Sequence, residues 1–222
     1  MLWHLLTENF PYLLQGLGVT LLLLFLLLAL GLVIGVGLAL YQAVGPSSWF
    51  LQFPATVFER VFRGIPIIVL LFIFYYGLAR LNLSSFGAAV FALGLRSGAY
   101  QAQIFRSAIQ SVPKGQYVSA RSMGLGTAGA FAFVILPQAF RYALGPWTNE
   151  FSSEIKATAL AYVIGVVELT RQANYIVSAS SGHILGVFGA AAVLYFVVNK
   201  AGNSMLYALE RRFRVPGGTA RA

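Results

Sequence analysis

The sequence contains no cysteine and no aspartate, and its six acidic residues are all glutamate. The lack of thiols excludes disulfides and thiolate metal sites. With two histidines (His4 and His183) and no aspartate, little is left for hydrolysis or metal binding. No GxxxxGK[ST] phosphate-cradling loop is present either. The chain is therefore expected to hold no catalytic set and no cofactor of its own. Charge is scarce as well: 9% of residues are charged, where a soluble domain averages about 25%. Against this, 59% of the 222 residues are hydrophobic. A soluble core of that length cannot hide so much apolar surface, because a folded domain still exposes a large share of its chain. A lipid-facing surface removes the difficulty. The formal charge of +9 does not point to nucleic acid. The basic residues are scattered between apolar runs and gathered at their ends, a membrane-anchoring pattern. The opening MLWHLLTENF has no lysine or arginine, so it is not expected to be a cleavable signal peptide.

A helical span needs about 20 apolar residues. Val19 to Tyr41 supplies a first span without a charge. Its Gly31, Gly35 and Gly37 are either a small-residue packing face or simple glycine richness. Pro46 and Pro54 bracket a connector. A second span is expected over 56–78, with Glu59, Arg60 and Arg63 at its start and Tyr75 and Tyr76 at the far interface. A third covers 85–109, with Arg96 near its middle. The stretch 122–140 carries no charge, but GLGTAG and Pro137 weaken it as a helix. It reads as a short reentrant or surface helix. A fourth span covers 141–167 and a fifth 175–209.

This is an all-α membrane protein of about five transmembrane helices. With the C-terminus cytoplasmic, Arg60, Arg63, Arg106, Lys114, Arg121, Arg141, Arg211, Arg212, Arg214 and Arg221 lie at inner ends. Only Arg80 and Arg171 lie at outer ends. The positive-inside rule then puts the N-terminus outside. Counting 122–140 as a further span spoils that bias.

Residues 113–140, which begin with the cytoplasmic loop 113–137, read PKGQYVSARSMGLGTAGAFAFVILPQAF. This resembles the loop of binding-protein-dependent ABC permeases, whose pattern is EAA, three residues, Gly, nine residues, then I-x-L-P. Val118, Ser119 and Ala120 occupy the EAA positions, followed by Gly124, Val134, Leu136 and Pro137. The spacing is kept and the Glu is absent. FRGIP (62–66), SGAY (97–100), IFRSAIQSVPKGQ (104–116), LPQAFR (136–141), NEF (149–151) and ALAYVIGVVELT (159–170) extend the likeness to the polar amino acid subfamily, of the histidine, glutamine and arginine type, over nearly the whole chain.

The resemblance implies one permease domain over 1–222 with an ABC type I importer fold, in a bacterial inner membrane. Its partners would be a second permease subunit, two ATP-binding cassette subunits that handle ATP and Mg, and an extracytoplasmic amino-acid-binding protein. The loop 113–137 would dock on the ATPase through Gly115, Gln116, Ser119, Ala120, Arg121, Gly124, Leu136 and Pro137. Gly115 and Gly124 are expected to permit tight turns, and Pro137 to stop the helix before the next span.

Charges at membrane depth cost about 2.5–3.5 kcal/mol on insertion scales and are functional candidates by default. Arg96 falls on the third span, and Glu150, Glu154 and Lys156 on the fourth. Glu150 and Glu154 are four apart, on one helical face. In one reading, Glu150 takes the ammonium of an amino acid and Arg96 its carboxylate. In the other, these groups form a structural ion network, for example Arg96 with Glu154. Tyr100 and Gln103 are further candidates, and Tyr75, Tyr76 and Tyr162 are open between pathway and interface. Relatives often read KDT where this chain has Lys156-Ala157-Thr158, and Glu where it has Gln103. Two carboxylates and few fixed cations lean towards a neutral or cationic substrate side chain. The rivals are an ion-gradient carrier, which needs internal repeats that are not visible here, and a structural membrane subunit.

Overall fold

In a computed structural model, residues 2–44, 48–180 and 183–213 are described, and among them the chain is helical with no strand. Helix α1 spans Leu2–Val44. It starts well before the expected Val19 and carries Pro11 inside it. Its early turns are held by packing: Leu13 sits in a cluster with Leu169, Ala173, Ile176 and Val187.

Helix α2 (Trp49–Gly64) is amphipathic and contains Pro54, which was expected in the connector. Pro46 lies outside the described residues. The expected second span is broken at Ile65, whose extended backbone (φ −86°, ψ 132°) is what a following proline imposes. Helix α3 (Ile67–Phe72) then runs into a π turn over Ile73–Gly77. Helix α4 (Ser85–Gln110) matches the third expected span and is capped by Ser84, whose hydroxyl accepts the Gly87 N–H. Helix α5 is the short Lys114–Ser122.

The short reentrant or surface helix expected over 122–140 is not set off from the fourth span. Helix α6 (Thr127–Ala130), a π turn over Phe131–Ile135, helix α7 (Leu136–Ala157) and a 3-10 stretch to Ile164 make one continuous 38-residue rod. Pro137 does not stop it. The helix widens to π pitch directly before the proline, which loosens the turn where the ring would otherwise meet the carbonyl four residues back. The expected fifth span is also divided. Helix α8 (Leu169–Ala179) is separate from α9 (Ile184–Phe213). His183 precedes α9, and its carbonyl accepts the Val187 N–H. Arg214 and Arg221 lie outside the described residues. Three stretches, Thr7–Ala43, Thr127–Ile164 and Ile184–Phe213, are long and apolar enough to cross a membrane.

Helices α1 and α4 form the central pair. A Cβ at Gly31 would lie 2.6 Å from Gln101 Nε2, and one at Gly35 2.6 Å from Gln101 Cβ. Gly94 and Gly98 of α4 receive Leu30 and Ile34 of α1 in the same way. The packing face is thus real for Gly31 and Gly35, while Gly37 faces open space. Small residues let the backbones approach closely, as they do between membrane helices generally. Around this pair, Leu23, Leu27, Leu71, Ala89, Leu93 and Ile155 build the main core.

Candidate functional site

Helices α4 and α7 bring most of the intramembrane candidates together. Arg96 and Tyr100 are four apart, and Gln103 three further on, so all three share one face of α4. Glu150 and Glu154 face them from α7; Glu154 is fully buried and Glu150 nearly so. Arg96 Nη1 donates to Glu154 Oε1 at 2.5 Å. Ser97 Oγ donates to Glu150 Oε1 at 3.0 Å. Glu154 Oε2 is buried and has no hydrogen-bond partner among the described residues. The Arg96 guanidinium lies over the Tyr100 ring at 4.6 Å, and that of Arg63, from α2, at 5.0 Å. Such contacts hold a cation without neutralising it.

Two candidates stand apart. Lys156 is exposed and takes part in no ion pair among the described residues. Gln103 is half-buried and makes no hydrogen bond to the cluster. Lys156 instead continues an exposed stripe with Asn149 and Ser153, spaced four and three along α7. A polar stripe on the outside of a membrane-crossing helix cannot rest against hydrocarbon at low cost.

Sequence reading overlooked a second layer. Gln101 Nε2 donates to Ser97 Oγ (3.1 Å) and to the Leu28 carbonyl (3.3 Å), and Gln101 Oε1 accepts from Trp147 Nε1 (2.9 Å). This network ties the Glu150 partner to α1 and α7. Buried Glu168 was overlooked too. It caps α8, accepting the N–H groups of Thr170 (2.9 Å) and Arg171 (2.8 Å), and it accepts the Tyr195 hydroxyl at 2.7 Å. The available signal was one acidic residue inside the apolar run VIGVVELT.

The loop has its own geometry. Helix α5 ends in a left-handed Gly124 (φ 86°). The Leu125 N–H bonds the Ala120 carbonyl (3.2 Å) and the Gly124 N–H that of Arg121 (3.0 Å). This pair is the Schellman cap, which requires a residue without Cβ strain. Gly115 needs no turn; it sits in the first turn of α5 with open space around it. Ala120 is buried, and Tyr117 packs edge-on against Phe131. Gln116, Ser119, Arg121 and Val118 are exposed, as are Met123 and Phe133. Leu136 and Pro137 lie within the long rod, away from this cap.

The molecule is thus a helical bundle with a buried polar cluster and an exposed, capped helix between its third and fourth long segments. The chain belongs to the binding-protein-dependent transport system inner membrane component family, which residues 31–215 match. It is 36% identical over 208 residues to the probable amino-acid ABC transporter permease protein YckA of Bacillus subtilis (strain 168), covering 93% of this chain and 91% of that one. It is 35% identical over 225 residues to the histidine/lysine/arginine/ornithine transport system permease protein HisM of Escherichia coli (strain K12), covering 95% and 92%. It is 36% identical over 217 residues to the glutamine transport system permease protein GlnP of the same strain, covering 96% and 98%. A crystal structure of an amino acid ABC transporter with histidines matches with a TM-score of 0.85 at 35% identity, covering 93% of this chain and 96% of that chain. The family, the ABC importer permease fold and the assignment as a non-enzymatic membrane subunit expected from the loop spacing therefore hold.

Proposed function

We propose that residues 1–222 act as one permease domain of an ATP-driven importer for a polar amino acid in a bacterial inner membrane. The observation that carries this reading is the α7 helix. It holds two buried carboxyls on one face and the exposed polar stripe Asn149, Ser153 and Lys156 on another. One face binds; the other needs a polar neighbour. A second permease subunit, identical or similar, supplies that neighbour and completes a path between the two copies. The relatives named for histidine, lysine, arginine, ornithine and glutamine support an amino acid substrate.

Glu150 takes the substrate ammonium or a cationic side chain. Arg96 is held by Glu154, so the Glu150 carboxyl is left with Ser97 as its donor and no ion-paired cation among the described residues. This favours a neutral or cationic substrate over an acidic one. The chain runs through about five spans, with the N-terminus outside and the loop 113–137 inside. There, exposed Val118, Ser119, Arg121 and Met123 dock on two ATPase subunits that bind ATP and Mg. ATP binding and hydrolysis bias two arrangements of the permease pair, and a binding protein delivers substrate from outside.

The test is purification with the neighbouring gene products, followed by substrate-stimulated ATP hydrolysis. An ATPase subunit is expected to co-elute. Glu150→Gln is expected to lose most of the stimulation while the complex stays intact. No co-eluting ATPase removes the importer reading, and unchanged stimulation removes Glu150 from the site.

A further inference from the structure

A polar cavity of about 340 Å³ opens at the ends of α1 and α4 and along α2. Gln42, Thr56, Glu59, Arg60, Arg106 and Gln110 line it, together with Arg63. The proposed path does not use it. Its charges do not balance: three arginines face one glutamate. Glu59 is buried and already engaged, because Arg106 Nη1 contacts both of its oxygens at 2.7 and 2.8 Å and also bonds Gln42. Arg63 rests on Tyr100. Arg60 is exposed and takes part in no ion pair among the described residues. The cavity thus carries excess positive charge: Arg63 is stacked on a ring but not neutralised, and Arg60 has neither a ring nor an ion-pair contact among the described residues.

Helix α2 shows where the cavity opens. Phe53, Val57 and Val61 form an exposed apolar stripe at spacings of four, and Phe50 extends it. Thr56, Glu59 and Arg63 line the cavity, Glu59 buried and Arg63 exposed. Arg60 stands on the border between stripe and cavity. Arg106 is four residues from the end of α4 at Gln110, about 6 Å along the axis. With the end of α4 taken as the cytoplasmic boundary of the third span, that depth is the headgroup level.

We infer that this cavity binds a phosphate monoanion through Arg60, and that the phosphate belongs to an anionic phospholipid whose acyl chains lie along Phe53, Val57 and Val61. A free phosphate has the same charge but makes no use of the apolar stripe, so the lipid is favoured. Basic pockets between membrane helices on the cytoplasmic side recognise headgroups by this chemistry.

The test uses the permease purified with its ATPase partner, stripped of lipid and titrated with phosphatidylglycerol, phosphatidylcholine or inorganic phosphate, with bound molecules counted by native mass spectrometry. Phosphatidylglycerol is expected to be retained in preference to phosphatidylcholine and to resist millimolar phosphate. Arg60→Gln should weaken retention about fivefold, the effect of one basic residue near a membrane surface. Arg60→Lys should keep it, and Arg80→Gln should leave it unchanged. Arg60 is exposed, so its loss does not disturb packing, and co-eluting ATPase verifies assembly. Equal retention of both lipids, or wild-type retention by Arg60→Gln, overturns the site. Displacement by inorganic phosphate overturns the lipid as its ligand.

Discussion

Glu154 and Glu168 are both fully buried, yet their surroundings differ. Glu168 uses both oxygens on protein donors: two backbone N–H groups and the Tyr195 hydroxyl. Thr170 Oγ1 lies 3.1 Å from the same hydroxyl, and the next backbone N–H, of Leu169, donates to Thr20 Oγ1 at 3.1 Å. Gly16 of α1 lies so close that a Cβ there would come within 2.9 Å of Leu169 Cα. The result is a closed knot of α1, α8 and α9. Glu154 has one oxygen on Arg96, and its carboxyl neighbours that of Glu150, so that among the described residues Oε2 has no donor. Its helical neighbour Glu150 has a single serine donor. A complete network fixes one geometry, whereas an incomplete one is costly unless something else completes it. Burial of a carboxylate therefore does not identify a site; the state of its hydrogen-bonding does.

That contrast predicts opposite responses to substitution. Glu168→Ala should have the largest effect, destabilising the protein by about 3 kcal/mol or more, because the cap and a charged hydrogen bond go together and leave buried donors behind. Thermal unfolding of the purified permease measures it. A variant as stable as wild type would show that the knot is not structural. Tyr195→Phe removes only one donor to that carboxylate, and its expected cost is about 2 kcal/mol. If it equals the alanine variant, the two caps on α8 contribute nothing and the knot reduces to one contact.

The parts legible in the sequence were those written as periodicity or spacing. Helix α4 falls where its apolar run predicts it, and Gly124 makes the tight turn expected of it, in a left-handed conformation. The Arg96–Glu154 pair was one of two readings open from the residues alone. What stayed hidden depends on tertiary context. Pro54 and Pro137 look like breakers, but packing and a π turn carry the helix through them. The close fit of Gly94 and Gly98 onto Leu30 and Ile34 requires knowing that α1 and α4 are neighbours. Arg63 was visible only as a charge at the start of a span; its place over Tyr100, beside Arg96, comes from α2 lying antiparallel to α4. Glu168 was hidden because its hydroxyl partner Tyr195 comes from α9 and the knot is closed by Thr20 of α1, both far away in sequence.

The smallest stability effect is expected at Glu150, where the contrast is drawn most finely. Glutamine keeps the shape of glutamate, and its carbonyl oxygen can still accept from Ser97 Oγ. The buried negative charge disappears, and with it the cost of keeping that charge out of water. Glu150→Gln should therefore stay within about 0.5 kcal/mol of wild type. At Glu168, Oε1 accepts the Arg171 N–H while Oε2 accepts the Thr170 N–H and the Tyr195 hydroxyl, so in either orientation the amide sets an N–H donor against a donor. Glu168→Gln should thus melt clearly below Glu150→Gln, although both lose one charge and no volume. Paired melting curves with matched detergent and protein concentration provide the measurement. If the order reverses, Glu150 is the structural carboxylate of the two, and the ammonium site must be sought at the unpaired oxygen of Glu154.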